Sequence, residues 1–374
     1  MKNLVLRASR LVLALTLLGS LGLASCHKDD TTTTLGNWTQ ASTFAGSQRS
    51  NAVSFVINNV AYVGTGIDMN AKKYNDFYSL DPAAGGWNKV TPMPAAAGVR
   101  YNAVAFSAAG KGYVGTGYDG TNPLSDFWQF DPAVNTITPT VTGTAPNTVT
   151  TNVTTVGSWT RVADFPTPNG SGRYGAVAAS INDMGYVGTG YDGNNENDFY
   201  KYDPTQNTWT GLTAGFPGTK RIGAVAFVIN GQMYMGTGIN NNLYSPDFWS
   251  YNPAGNGGAG KWSQLNNLQN ISNSTTSYDY SAVARAYASS FVIGNLGYVT
   301  LGSNSAVRTD CYAYDPTMDI WTVTNPFTFT GGGGVGRNSA VSFGIGNYGY
   351  VGTGGSGSSR FDDFWKFDPS AAQQ

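Results

Sequence analysis

The sequence predicts an all-β protein: six four-stranded antiparallel sheets arranged radially as a β-propeller. Three observations predict it. One sequence pattern occurs six times, the composition suits short strands and tight turns, and a strand missing from the end of the last repeat is present at the start of the first. Of 374 residues 49 are Gly, 13% are aromatic and only 11% are charged, against roughly 25% in an ordinary soluble domain. Helix surfaces usually carry Glu and Lys, yet Glu occurs once, at Glu196.

Each repeat opens with Arg-x-x-Ala before alternating apolar residues. The arginines are Arg49, Arg100, Arg173, Arg221, Arg285 and Arg337, separated by 51, 73, 48, 64 and 52 residues. Tyr-Val-Gly-Thr-Gly follows at Tyr62–Gly66, Tyr113–Gly117, Tyr186–Gly190 and Tyr350–Gly354, with variants at Tyr234–Gly238 and Tyr298–Gly302. An acidic residue then precedes a third run (Asp76, Asp126, Asp198, Asp247, Asp310, Asp363), which ends in Asp-Pro, or in one unit Asn-Pro, and in all but the last unit a short run beginning at a tryptophan follows. Four runs of alternating or aromatic and β-branched residues, separated by Gly, Asn, Asp and Pro, read as four strands. Self-similarity at about 50 residues signals units that bury their faces only by stacking.

The sixth unit stops at Asp368-Pro369, without its tryptophan strand. Trp38 precedes Arg49 by much the same distance as Trp209 precedes Arg221, so the segment around Trp38 should complete the last sheet and close the ring, leaving few open edges. Two stretches interrupt the period: residues 133–157, rich in Thr and Val, and 263–284, rich in Asn, Ser and Tyr. Insertions of this kind either build a binding rim or form polar loops.

Together, Arg-x-x-Ala, Tyr-Val ending in Gly, Asp-Phe-Trp with Asp-Pro, and the tryptophan resemble kelch repeats, including those of the galactose oxidase-type propellers, over about residues 36–369. One departure is that Thr stands where kelch repeats carry the first of two glycines. The resemblance implies the propeller fold. It does not extend to galactose oxidase chemistry, which requires histidine copper ligands and a tyrosine joined to a cysteine: His27 is the sole histidine and precedes the repeats.

At the amino terminus, Lys2, Arg7 and Arg10 flank an apolar run, Leu11 to Leu23, that reads as a secretory signal over residues 1–25. The run is short for a membrane span. Leu23-Ala24-Ser25-Cys26 resembles the lipobox of bacterial lipoproteins, which implies cleavage before Cys26 and its lipidation. His27-Lys28-Asp29-Asp30 resembles the export tag of surface lipoproteins in the Bacteroidota. The expected organisation is a signal peptide (1–25), a lipidated Cys26 with a flexible tether (26–35), and a monomeric propeller (36–374). The location implied is the outer membrane, facing the cell surface, with a periplasm-facing orientation as the alternative. Removing the signal takes away three basic residues and no acidic one from a chain of formal charge −1, so nothing calls for nucleic acid.

With no histidine in the repeats, His-based acid–base catalysis, Ser-His-Asp triads and His-ligated metals are excluded there. No catalytic residue, metal or cofactor is assigned. Cys311 stands where other repeats have Phe and reads as a small buried hydrophobe. The six arginines are the candidate binding residues. Either they ring one mouth of the channel and grip a carboxylate or phosphate, or each pairs with the aspartate of its own repeat, since six uncompensated buried cations would be costly. Oxygen-rich loops at Asp68, Asp119 and Asp192 lack the spacing of a calcium loop and read as Asx turns. Tyr118, Tyr191, Tyr244, Tyr278 and Tyr280 are candidates for stacking on sugar rings. The function expected is a non-catalytic module binding a glycan, peptide or protein through loops at one face. The alternative is an enzyme similar to the kelch-type sialic acid mutarotases, using channel-mouth arginines and an aspartate.

Overall fold

The computed structural model describes residues 35–143, 147–329 and 332–372. The signal segment and Cys26 lie outside the described residues. Six four-stranded antiparallel sheets account for the repeats. The first comprises Val53–Ile57, Val60–Gly64, Phe77–Leu80 and Trp87–Val90, in sequence order across the sheet. The inner strands of the others are Val104–Ala108, Val177–Ile181, Val225–Ile229, Ser289–Ile293 and Val341–Ile345. These six pack side by side in a closed cycle, the last against the first, and line a central channel.

Alternation decides the inner strands. In Val53–Ile57 the odd-numbered side chains are buried and the even-numbered ones half-buried, as a period of two requires. The turn that follows has Asn58 and Asn59 at φ +50° and +63°, the backbone of a two-residue hairpin whose twist matches its strands.

The ring closes as the sequence predicts. Asn37–Gln40 pairs antiparallel with Phe364–Asp368, Trp38 opposite Phe367. Trp38 is 2% exposed and donates from Nε1 to the carbonyl of Asn325 (3.1 Å). It meets Phe327 edge-on at 5.1 Å. One strand thereby ties the sixth sheet to the fifth.

Two size-matched contacts build the core. Within a blade, the phenylalanine opening the third strand lies over the glycine paired with it (Phe77 on Gly64, Phe127 on Gly115, Phe364 on Gly352), where a Cβ would overlap the ring. Between blades, the inner-strand phenylalanines Phe55, Phe106, Phe227 and Phe291 lie over Gly112, Gly185, Gly297 and Gly349 of the next blade. Where the third blade has Ala179 in place of phenylalanine, the fourth has Met233 in place of glycine, and both belong to one buried cluster.

Candidate functional site

In an up-and-down blade, the connections entering the inner strand and those joining second to third strand emerge on one face. Each repeated arginine sits there, just before its inner strand. Arg49, Arg100, Arg221, Arg285 and Arg337 are 0% exposed and Arg173 is 2%. The pairs are Arg49–Asp76 (2.5 Å), Arg100–Asp126 (2.7 Å), Arg173–Asp198, Arg221–Asp247 (2.5 Å), Arg285–Asp310 (2.9 Å) and Arg337–Asp363. Every pair lies within one blade. Each guanidinium also donates from Nη1 to the carbonyl of the residue after the Tyr-Val-Gly segment, as Arg49 does to Thr65 (2.9 Å) and Arg285 to Leu301 (3.0 Å).

Each arginine's backbone carbonyl in turn accepts the N–H of the glycine closing that segment in the preceding blade. The contacts run from Gly66 to Arg100 (2.8 Å) around to Gly354 to Arg49 (2.8 Å). The arginines are thus placed in the joints between blades. Of the two readings of these arginines, the geometry fits pairing within each repeat and not a cationic ring gripping an anion at the mouth: an unpaired guanidinium in this interior would lose its hydration without recompense, and an aspartate of the same repeat supplies the compensating charge.

Burial works to raise the Asp247 carboxyl, but the charge and hydrogen bonds of Arg221 outweigh it and hold it below the usual carboxylate range. Asp363 is depressed in the same way, with Arg337 overcoming burial. At Asp310 burial is overcome by two arginines, Arg308 (2.6 Å) and Arg285.

The mouth itself is built from backbone. Asn51, Asn102, Gly175, Gly223, Tyr287 and Ser339 occupy the position after next from each arginine, all with φ between +53° and +67°. Each donates its N–H to the carbonyl of the preceding member, at 2.8 to 3.1 Å, and Asn51 completes the circle by donating to Ser339 (3.0 Å). This closed hoop frames a cavity of about 160 Å³. Deeper, the channel holds about 220 Å³ between Ala, Val and Ser side chains. Ser54, Ser290 and Ser342 stitch three inner strands together, Ser342 Oγ donating to the Ser290 carbonyl at 2.8 Å.

Around one half of the mouth runs a line of four half-buried tyrosines. Tyr101 meets Tyr118 edge-on at 5.7 Å, Tyr118 lies 5.3 Å from Tyr174, and Tyr174 lies 5.4 Å from Tyr191. Isolated bridges hold Tyr101 opposite Tyr118 and Tyr174 opposite Tyr191. The line continues into Ile222, which leans over Gly175, and Tyr287, which leans over Gly223. At the matching positions of the other half stand Ala286, Ser303, Asn338 and Gly355. Burial, then the neighbouring phenols, push the Tyr101 and Tyr174 hydroxyls up, so both remain neutral near pH 7.

Of the five tyrosines singled out from sequence, Tyr118 and Tyr191 belong to this line. The hydroxyl of Tyr244 accepts the N–H of Ser305 (2.8 Å) on the next blade. Tyr278 and Tyr280 stack on each other at 4.5 Å in the second insertion, which forms a hairpin (Asn270–Ser272 with Ser277–Asp279) in a connection of the same face. Tyr101, Tyr174 and Tyr287 were missed. They stand at the variable positions inside Arg-x-x-Ala, and the signal that finds them is which blades place aromatics there.

The first insertion is also a hairpin (Thr136–Thr142 with Val149–Thr155), but it joins a third strand to a fourth and so departs from the opposite side. The two insertions do not share a rim. The oxygen-rich loops are Asx turns: Asp68 Oδ1 accepts the N–H of Asn70 and Lys72, and Asp119 Oδ1 that of Thr121 and Asn122. Among the described residues no group of three or more His, Cys, Asp or Glu converges.

No family model matches the sequence, and no curated protein matches it. Among solved structures the fold is similar to that in "Structure of YjhT", with a TM-score of 0.63 over 86% of this chain and 95% of that chain at 16% identity. At that identity the likeness is one of fold.

Proposed function

We propose that this chain is a kelch-type surface lipoprotein, anchored through Cys26 in the outer membrane, whose propeller binds a glycan at the tyrosine-lined mouth without transforming it. The tyrosine line carries the reading. Four partly exposed aromatic rings in contact offer apolar faces to sugar C–H groups, and Asn51, Asn102 and Ser339 line the same mouth, with side-chain amides and a hydroxyl to meet sugar hydroxyls. Concave sites of mixed apolar and sparse polar lining are where small ligands bind. An enzyme gripping a sugar carboxylate would need a guanidinium with a free face at the mouth, and the six arginines of the joints are occupied.

A glycan array spanning neutral and acidic sugars tests the reading, with neutral glycans expected as hits that are lost in a Tyr118→Ala, Tyr174→Ala double variant. Binding confined to sialylated or sulfated glycans, or undiminished in that variant, would overturn it. Anchoring is tested separately: metabolic acyl labelling should vanish in Cys26→Ser.

A further inference from the structure

We propose that the paired strands Thr136–Thr142 and Val149–Thr155, on the side away from the mouth, are a self-association arm, the strand Val149–Thr155 pairing antiparallel with the same strand of a second copy of this chain. The propeller does not need this element, since the other connections from third to fourth strand within the chain are four to eight residues long, such as Asp203 to Thr208 and Asn252 to Lys261. Its base is fixed by Thr91, whose N–H donates to the Val156 carbonyl (2.9 Å) and whose hydroxyl donates to that of Gly157 (2.7 Å). Beyond the base it stands clear: Val149 is 59% exposed and Val153 47%. A lone two-stranded ribbon is marginal in water, whereas four strands are enough for a stable sheet.

The composition leaves its edge open. Natural edge strands are blunted by charge or proline, yet no charged residue occurs between Asp131 and Arg161, and every residue of the two strands except Pro139 and Asn152 is Thr, Val or Ile. Pro139 blunts the first strand alone. Having no N–H, it fits an unbroken ladder only with its nitrogen turned outward. Pro139 faces Asn152, so Thr150, Asn152 and Thr154 of the second strand also turn their free N–H and C=O groups outward.

That edge is complementary to itself. Centred on Asn152, antiparallel pairing sets Thr150 against Thr154, Thr151 against Val153, and Asn152 against Asn152. These are β-branched and amide pairs of the kind that stabilise ladders, and the twofold symmetry is that of the commonest homodimers. The monomer expected from the sequence gives way to a dimer whose two mouths face away from the contact.

The test is sedimentation velocity of the purified full-length chain and of Asn152→Lys and Asn152→Asp. Lysine or aspartate at the dyad opposes its own copy, so each variant should dimerise about fivefold or more weakly than the parent, while an equimolar mixture of the two should recover dimer. A parent that stays monomeric at all concentrations, variants that dimerise like the parent, or a mixture that does not recover would each overturn the proposal. Because the hairpin stands outside the blades, circular dichroism should be the same for all three proteins. Glycan binding at the mouth is a separate readout, so the two proposals fail independently.

Discussion

Cys311 lies directly opposite Thr300 in the fifth blade, in the place where the other five blades set phenylalanine against glycine. Both residues of the exception change together: the smaller Cys311 leaves the room that the larger Thr300 takes. Cys311 is fully buried.

A double-mutant cycle reads this coupling. Thr300→Gly alone leaves a void and Cys311→Phe alone overfills the site, each expected to cost about 1–3 kcal/mol. The double variant rebuilds the pair found in the other blades and should recover most of that loss, a coupling of about 1–3 kcal/mol by urea unfolding. Additive losses would separate the two positions.

Burial pushes the Cys311 thiol up to about 11, and the thiolate is the reactive form. Thiol reagents at pH 8 should therefore leave Cys311 unmodified in the folded chain and label it in guanidinium. Mass spectrometry of the Cys311 peptide checks this.

The closing strand carries its own prediction. Trp38→Ala removes a ring packed among Phe291, Phe327 and Phe367 and should cost about 3–5 kcal/mol. It loosens the segment covering the sixth blade's edge, so aggregation should accompany a lowered Tm. A Tm equal to that of the parent would mean that the strand does not seal the ring.

Acid should unlock the blade joints. Asp247, Asp310 and Asp363 have folded pKa values below the ordinary carboxylate value. The folded state binds fewer protons than the unfolded one over that interval. The stability they contribute is fully present above the unfolded value of about 3.9 and drains away as the pH falls through the folded values. Tm should hold from pH 7 to about 5 and drop below about 4, with a shallower drop in Asp363→Asn, which has already lost one of the charges.

Much of this architecture was legible because repetition writes each constraint several times. The Arg and Asp of every repeat, and the displaced Trp38, expose both the blade count and the seam. What stayed hidden depended on contact between different repeats. The substitution of Thr300 for glycine is unreadable until the strand pairing sets it beside Cys311, and Ala179 until it meets Met233 of the next blade. The arginines admitted two readings from sequence, an anion grip or a pair within the repeat, and only burial and distance separate them. Of the tyrosine line only Tyr118 and Tyr191 stood out in the sequence, because its members come from two motifs in each of two blades, joined by bridges between residues 17 apart.

Under the proposed function, the arginines hold the blades and the tyrosines hold the ligand. Calorimetric titration of a neutral oligosaccharide hit from the array into the parent and into Tyr174→Ala tests that division most directly. The variant should keep its Tm within a few degrees and lose about tenfold or more in affinity, the ~1.4 kcal/mol of one stacked ring. Unchanged affinity in Tyr174→Ala, at an unchanged Tm, would contradict it.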